Sequence, residues 1–137
     1  MLYKKKILVV DGDSESELKL KPMLESHRYQ SLFVNNAIDG LSIAADWQPH
    51  LILLELDLPH MSGLGFLREI KYNLKTKNIP VVILSDVADI EVIYEALELG
   101  AAGFVNKADG DSELLSLMKD CVVIKNSKSR LLDSIVR

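Results

Sequence analysis

The chain is short of cysteine, of basic clusters and of long apolar runs, and each shortage closes off a class of protein. One cysteine, Cys121, among 137 residues cannot make an internal disulfide, so a disulfide-stapled scaffold is excluded. The only basic run is Lys4-Lys5-Lys6, against a net charge of -4; the chain offers no cationic groove for a nucleic acid. The longest apolar stretch, from Leu51 to Leu54 and its continuation, falls far short of the roughly 20 residues a membrane helix needs. The N-terminal lysines lead into a short strand-like run and not a signal region, so a cytoplasmic location is expected. His27, His50 and His60 are scattered without metal-ligand spacing and carry no functional expectation.

What is present is enough for one domain: 137 residues with 48% apolar content support a proper core. Short apolar runs alternate with segments of helical spacing. The runs are KILVV (6–10), QSLFV (30–34), LILLEL (51–56), PVVIL (80–84) and AGFV (102–105). Periodic segments lie at about 14–27, 37–47, 64–74, 88–99 and 111–124. This is the (βα)5 pattern of an α/β protein, a doubly wound parallel sheet. The first, third and fourth runs are apolar nearly throughout, as strands covered on both faces are, and so form the sheet centre. Pro22 falls inside the first helix, where a kink is expected; Trp47 closes the second and reads as packing.

Ligands of such sheets bind beyond the carboxyl ends of the strands. Those ends carry Asp11, Glu55, Ser85 and Lys107. Two acids, a hydroxyl and an ammonium from four strands point to a site that handles or mimics phosphate. Taken singly, each has a plainer role: Asp11 or Asp13 as cap of the first helix, Ser85 as cap of the fourth, Lys107 as a solvated surface group.

The stretches ILVVDGD, PHLILLELDLPHMSGLGFL with Pro59 and Gly63, PVVILS, and ALELGAAGFVNKADGDSEL together resemble the receiver domain of two-component response regulators, over about Lys5 to Ile124. The resemblance implies the flavodoxin-like receiver fold with strand order 2-1-3-4-5. It implies a phosphoacceptor aspartate four residues before the loop proline, magnesium held by acids of the first strand, a hydroxyl at Ser85, a switch aromatic at Phe104 and a phosphate-contacting lysine at Lys107. Partners would be a histidine kinase or a downstream effector, met through the 88–124 face that carries Ile90, Tyr94, Phe104 and the residues from Glu113 on.

Two departures strike the same reaction. Counting back from Pro59 gives Glu55 where the family has its acceptor aspartate; Asp57 stands where relatives offer a backbone carbonyl to the metal. The first strand has Asp11 followed by Gly12 where the family has adjacent acids, and Asp13 is better placed as a helix cap. The implied magnesium site, Asp11, Glu55 and the Asp57 carbonyl, is therefore weak or absent; no other cofactor is implied. Glutamate carries its carboxylate about 1.5 Å further, one carbon–carbon bond, and misplacements of about 1 Å cost on the order of a hundredfold in rate. The longer side chain instead reaches toward Ser85 and Lys107 as a partial phosphate mimic. Ala108 replaces the proline that usually follows the family's lysine.

The expectation is a pseudo-receiver: residues 1–125 as a non-enzymatic interaction domain acting without phosphorylation, and 126–137 as a helical extension or linker. In that tail Leu131, Leu132, Ile135 and Val136 are helically spaced, and a homodimer contact is the sharper reading of them. One alternative is a conventional receiver phosphorylated on Glu55 or Asp57. Another follows from ILVVDGDS, which also resembles the first motif of haloacid-dehalogenase-type phosphatases, with Asp11 and Asp13 as nucleophile and acid. Against it, a helix follows at once and no strand follows Lys107.

Overall fold

A computed structural model describes residues 4–86 and 89–122. The strands are β1 (Lys5–Val10), β2 (Tyr29–Val34), β3 (Leu51–Leu54), β4 (Val81–Ser85) and β5 (Gly103–Asn106). The helices are α1 (Ser14–Ser26), α2 (Ala37–Trp47), α3 (Gly63–Tyr72), α4 (Ile90–Glu98) and α5, helical over 111–122. All strand pairs are parallel, in the order β2-β1-β3-β4-β5, which is the expected doubly wound topology. Among the described residues no segment boundary shifts by more than two residues. The tail 126–137, with its apolar stripe, lies outside the described residues, as do positions 87 and 88.

The apolar runs become intelligible as two cores, one on each face of the sheet. Leu8, Val10, Ile52, Leu54, Val81 and Ile83 pack with Phe66, Leu67 and Ile70 of α3 and Ala44 of α2. Ile7, Val9, Leu51, Leu53, Val82, Leu84 and Val105 pack with Leu20 and Leu24 of α1 and with Leu114 and Met118 of α5. Successive side chains of a strand point to opposite faces, so a central strand in a two-sided sheet has to be apolar at every position. The edge strands β2 and β5 are covered less fully: Tyr29 and Val105 are buried, and their other residues are half-buried or exposed.

Asp13 caps α1, its side chain accepting from the Glu15 N–H at 2.9 Å. The helix runs unbroken through Pro22. Trp47 stacks under an ammonium, Lys6 Nζ lying 5.2 Å from the ring centroid. His50 Nδ1 accepts from the Lys6 N–H at 2.9 Å, a structural role.

Gly63 opens α3 against the chain that leaves β3. A Cβ there would stand 2.5 Å from Leu56 Cα and 2.6 Å from the Glu55 carbonyl oxygen, distances that only a backbone shift relieves. Gly63→Ala is expected to cost about 1–3 kcal/mol of stability and to displace the Glu55 peptide. Urea unfolding and the amide shifts of residues 54–58 measure both effects.

Candidate functional site

The sheet's carboxyl edge holds the backbone of the site in register one residue past the strands. The Asp11 N–H donates to the Val34 carbonyl at 3.0 Å, and the Glu55 N–H to the Val10 carbonyl at 2.9 Å. Ser85 pairs in register with Asn106, which brings Lys107 beside it. The period-two alternation carries Asp11, Glu55 and Lys107 on the rows of Ile7–Val9, Leu51–Leu53 and Val105, toward α1 and α5.

The side chains meet as a hydrogen-bonded cluster. Lys107 Nζ lies 2.7 Å from Asp11 Oδ2 and 2.9 Å from Glu55 Oε1. The Ser85 hydroxyl donates to Glu55 Oε2, which also accepts from the Asp57 N–H at 3.2 Å. Asp11 Oδ1 accepts from the Asp13 N–H at 2.9 Å. Asp11, Glu55 and Ser85 are buried, so their polar atoms depend on these partners.

The sequence-expected residues divide. Asp11, Glu55, Ser85 and Lys107 converge; Asp13 turns to its capping role; Asp57 is exposed and supplies only its N–H; Phe104 is half-buried against the α3/α4 core. Two participants had no signal in the motifs. The Ser16 hydroxyl on α1 receives Lys107 Nζ at 3.2 Å, and Asp86 lines the open cavity of about 570 Å³ bounded by Asp11, Asp13, Glu55, Asp57 and Lys107. The strand parity would have pointed Lys107 at α1, but not at a particular residue.

The lysine loop folds as a 3-10 turn, Lys107–Asp109, capped by Asn106, whose side-chain oxygen accepts from the Ala108 N–H at 2.8 Å. A proline at position 108 has no N–H to give, so Asn106 and Ala108 form a different closure of this loop. The turn leads directly into α5, and α1 starts three residues after Asp11. Both features run against the phosphatase layout.

A magnesium site fits poorly. Gly12 brings no carboxylate, Asp13 Oδ1 is engaged at the helix cap, and Asp11 and Glu55 share one ammonium. Among the described residues no group of three or more His, Cys, Asp or Glu is arranged to hold a metal ion.

Burial alone would lower the Lys107 pKa, but its hydrogen bonds to Asp11 and Glu55 and their charges outweigh burial, and the net shift is upward from 10.5. A raised lysine pKa stabilises the fold fully below the unfolded-state value, and the contribution is lost only as pH rises through the folded value. The stability difference between the native chain and Lys107→Met should therefore stay flat from neutral pH to about pH 10 and shrink above it. Urea titrations at stepped pH test this; a gap closing below pH 9, about a unit short of that limit, contradicts the pairing.

The response regulator receiver domain model matches residues 7–119. The chain belongs to that family. It is 36% identical over 112 residues to a protein-glutamate methylesterase/protein-glutamine glutaminase of Rhodospirillum rubrum, covering 80% of this chain but only 30% of that protein. It is 27% identical over 126 residues to sporulation initiation phosphotransferase F of Bacillus subtilis, covering 92% of this chain and all of that one. The receiver domain protein (CheY-like) of Methanospirillum hungatei superposes with a TM-score of 0.84 at 24% identity, over 92% of this chain and 99% of the other, which shows the shared fold. The chain is thus a receiver domain of two-component signalling. No helix among the described residues is long and apolar enough to cross a membrane.

Proposed function

We propose that this receiver works as a pseudo-receiver, a non-enzymatic interaction module whose output does not wait for phosphorylation. One observation carries the proposal: the Glu55 carboxylate already accepts from both Ser85 and Lys107, the two groups assigned by the family resemblance to an incoming phosphoryl group. The longer side chain carries its carboxylate away from where an aspartate would present it for attack, and Asp11 and Glu55, both paired with Lys107, are poorly placed to hold a metal that would meet the transition-state charge. The site holds one fixed negative charge where phosphorylation would bring nearly two.

The partner surface is proposed on α4, β5 and α5. Ile90, Tyr94 and Leu97 lie exposed at four- and three-residue spacing on α4, so they share one face. A histidine kinase or a downstream effector are the partner classes, met in the cytoplasm; positions 88 and 123–124 of the expected face lie outside the described residues.

Incubation with acetyl phosphate and magnesium should leave the intact mass unchanged. A species heavier by one phosphoryl group, mapped to Glu55 or Asp57, would show a conventional receiver instead.

A further inference from the structure

The two side chains that the family resemblance assigns to magnesium are both committed to one ammonium. Lys107 Nζ has three donors and finds three oxygens: Asp11 Oδ2 at 2.7 Å, Glu55 Oε1 at 2.9 Å and Ser16 Oγ at 3.2 Å. The lysine side chain is 18% exposed, against 5% and 8% for its carboxylate partners, so water screens the cluster only weakly. Ser16 is the member that no motif assigns. It sits in the first turn of α1 and draws the ammonium toward the α1 side of the pocket.

We infer that Lys107 is the resident cation of this acidic pocket: its ammonium, held by Asp11, Glu55 and Ser16, takes the place of a divalent metal and excludes one. A magnesium ion binds oxygens at about 2.0–2.1 Å and gives up its waters reluctantly. To reach Asp11 and Glu55 it has to strip the ammonium from both, leaving a positive charge beside the incoming one. Gly12 supplies no carboxylate to offset that repulsion. The pocket is charge-compensated from within, and its conformation is expected to be indifferent to divalent cations.

The inference deepens the pseudo-receiver proposal at the same pocket, and the two fail separately. A phosphoryl adduct formed without divalent metal defeats only the earlier proposal; metal binding without an adduct defeats only this one.

The test is calorimetric titration of the full chain with magnesium chloride and manganese chloride, alongside Ser16→Ala and Lys107→Met. The unaltered protein should give no binding heat. Lys107→Met should bind manganese about tenfold or more tightly than the unaltered protein, because the competing charge is gone, and its thermal midpoint should rise with added manganese while that of the unaltered protein stays put. Ser16→Ala should fall between. Binding in the unaltered protein equal to that of Lys107→Met overturns the inference. Should Lys107→Met fail to fold, the Lys107 ammonium signal of the unaltered protein, followed by nitrogen-15 NMR, decides. Persistence in excess magnesium supports the resident cation, and its loss or displacement overturns it.

Discussion

If the pseudo-receiver proposal holds, changing Glu55 and Gly12 together to aspartate should let the chain accept a phosphoryl group from acetyl phosphate. Glu55→Asp withdraws the carboxylate by about 1.5 Å, out of contact with Ser85 and Lys107, and opens the space in which a phosphoryl group would sit. Gly12→Asp restores the missing carboxylate next to Asp11. The backbone allows it at small cost: a Cβ on Gly12 would lie 3.3 Å from Pro59 Cδ and 3.5 Å from the Asn35 carbonyl oxygen, so the proline ring has to give by only a few tenths of an ångström. Glu55→Asp alone should recover little, because developing charge on the transferring group still lacks a metal. Gly12→Asp alone should bind magnesium without accepting phosphate. The effects are therefore more than additive, and mass spectrometry after acetyl phosphate treatment of the four proteins measures them. Equal reactivity of Glu55→Asp and the double variant would mean that Gly12 is no defect.

Glu55→Gln should be the most disruptive conservative change in the pocket. The glutamate accepts on both oxygens, from Lys107 on one and from Ser85 and the Asp57 N–H on the other. A glutamine has one acceptor and one donor end, so whichever way the amide turns, its NH₂ faces at least one donor in a buried place. Lys107 keeps Asp11, which limits the loss; about 1–3 kcal/mol is expected. The loop around the 3-10 turn should loosen, visible as changed shifts for residues 104–110. A native-like unfolding midpoint with unchanged shifts would show that the pair contributes nothing to holding this loop.

Most of the fold was legible because a parallel sheet covered on both faces leaves a strong trace. KILVV, LILLEL and PVVIL are apolar at successive positions, and only a central strand with a core on each side needs that. The weaker runs, QSLFV and AGFV, became the edges, where one side of the strand has no neighbour. The spacing from Pro59 back to Glu55 and the Gly12 that follows Asp11 are likewise one-dimensional features, fixed local offsets within a loop and a strand end. Asp13 as a cap was equally local, needing only the N–H groups two residues on.

What the chain alone determined was thus the element order, the two-sided burial of the central strands and the chemical types brought to the carboxyl edge. Tertiary structure decided which atoms meet there. Ser16 receives Lys107 although 91 residues separate them, because the sheet register sets β5 one strand from β4 and the pleat turns Lys107 toward α1. Asp86 joins the cavity wall only because β4 ends beside β3. The closure of the lysine loop by Asn106 on the Ala108 N–H depends on a backbone turn that residue types alone do not specify. The reach of Glu55 toward Lys107 was implied by the family resemblance, but that the same ammonium also takes Asp11 and Ser16 is a matter of distances across the sheet and a helix, which sequence separation does not carry until the sheet is assembled.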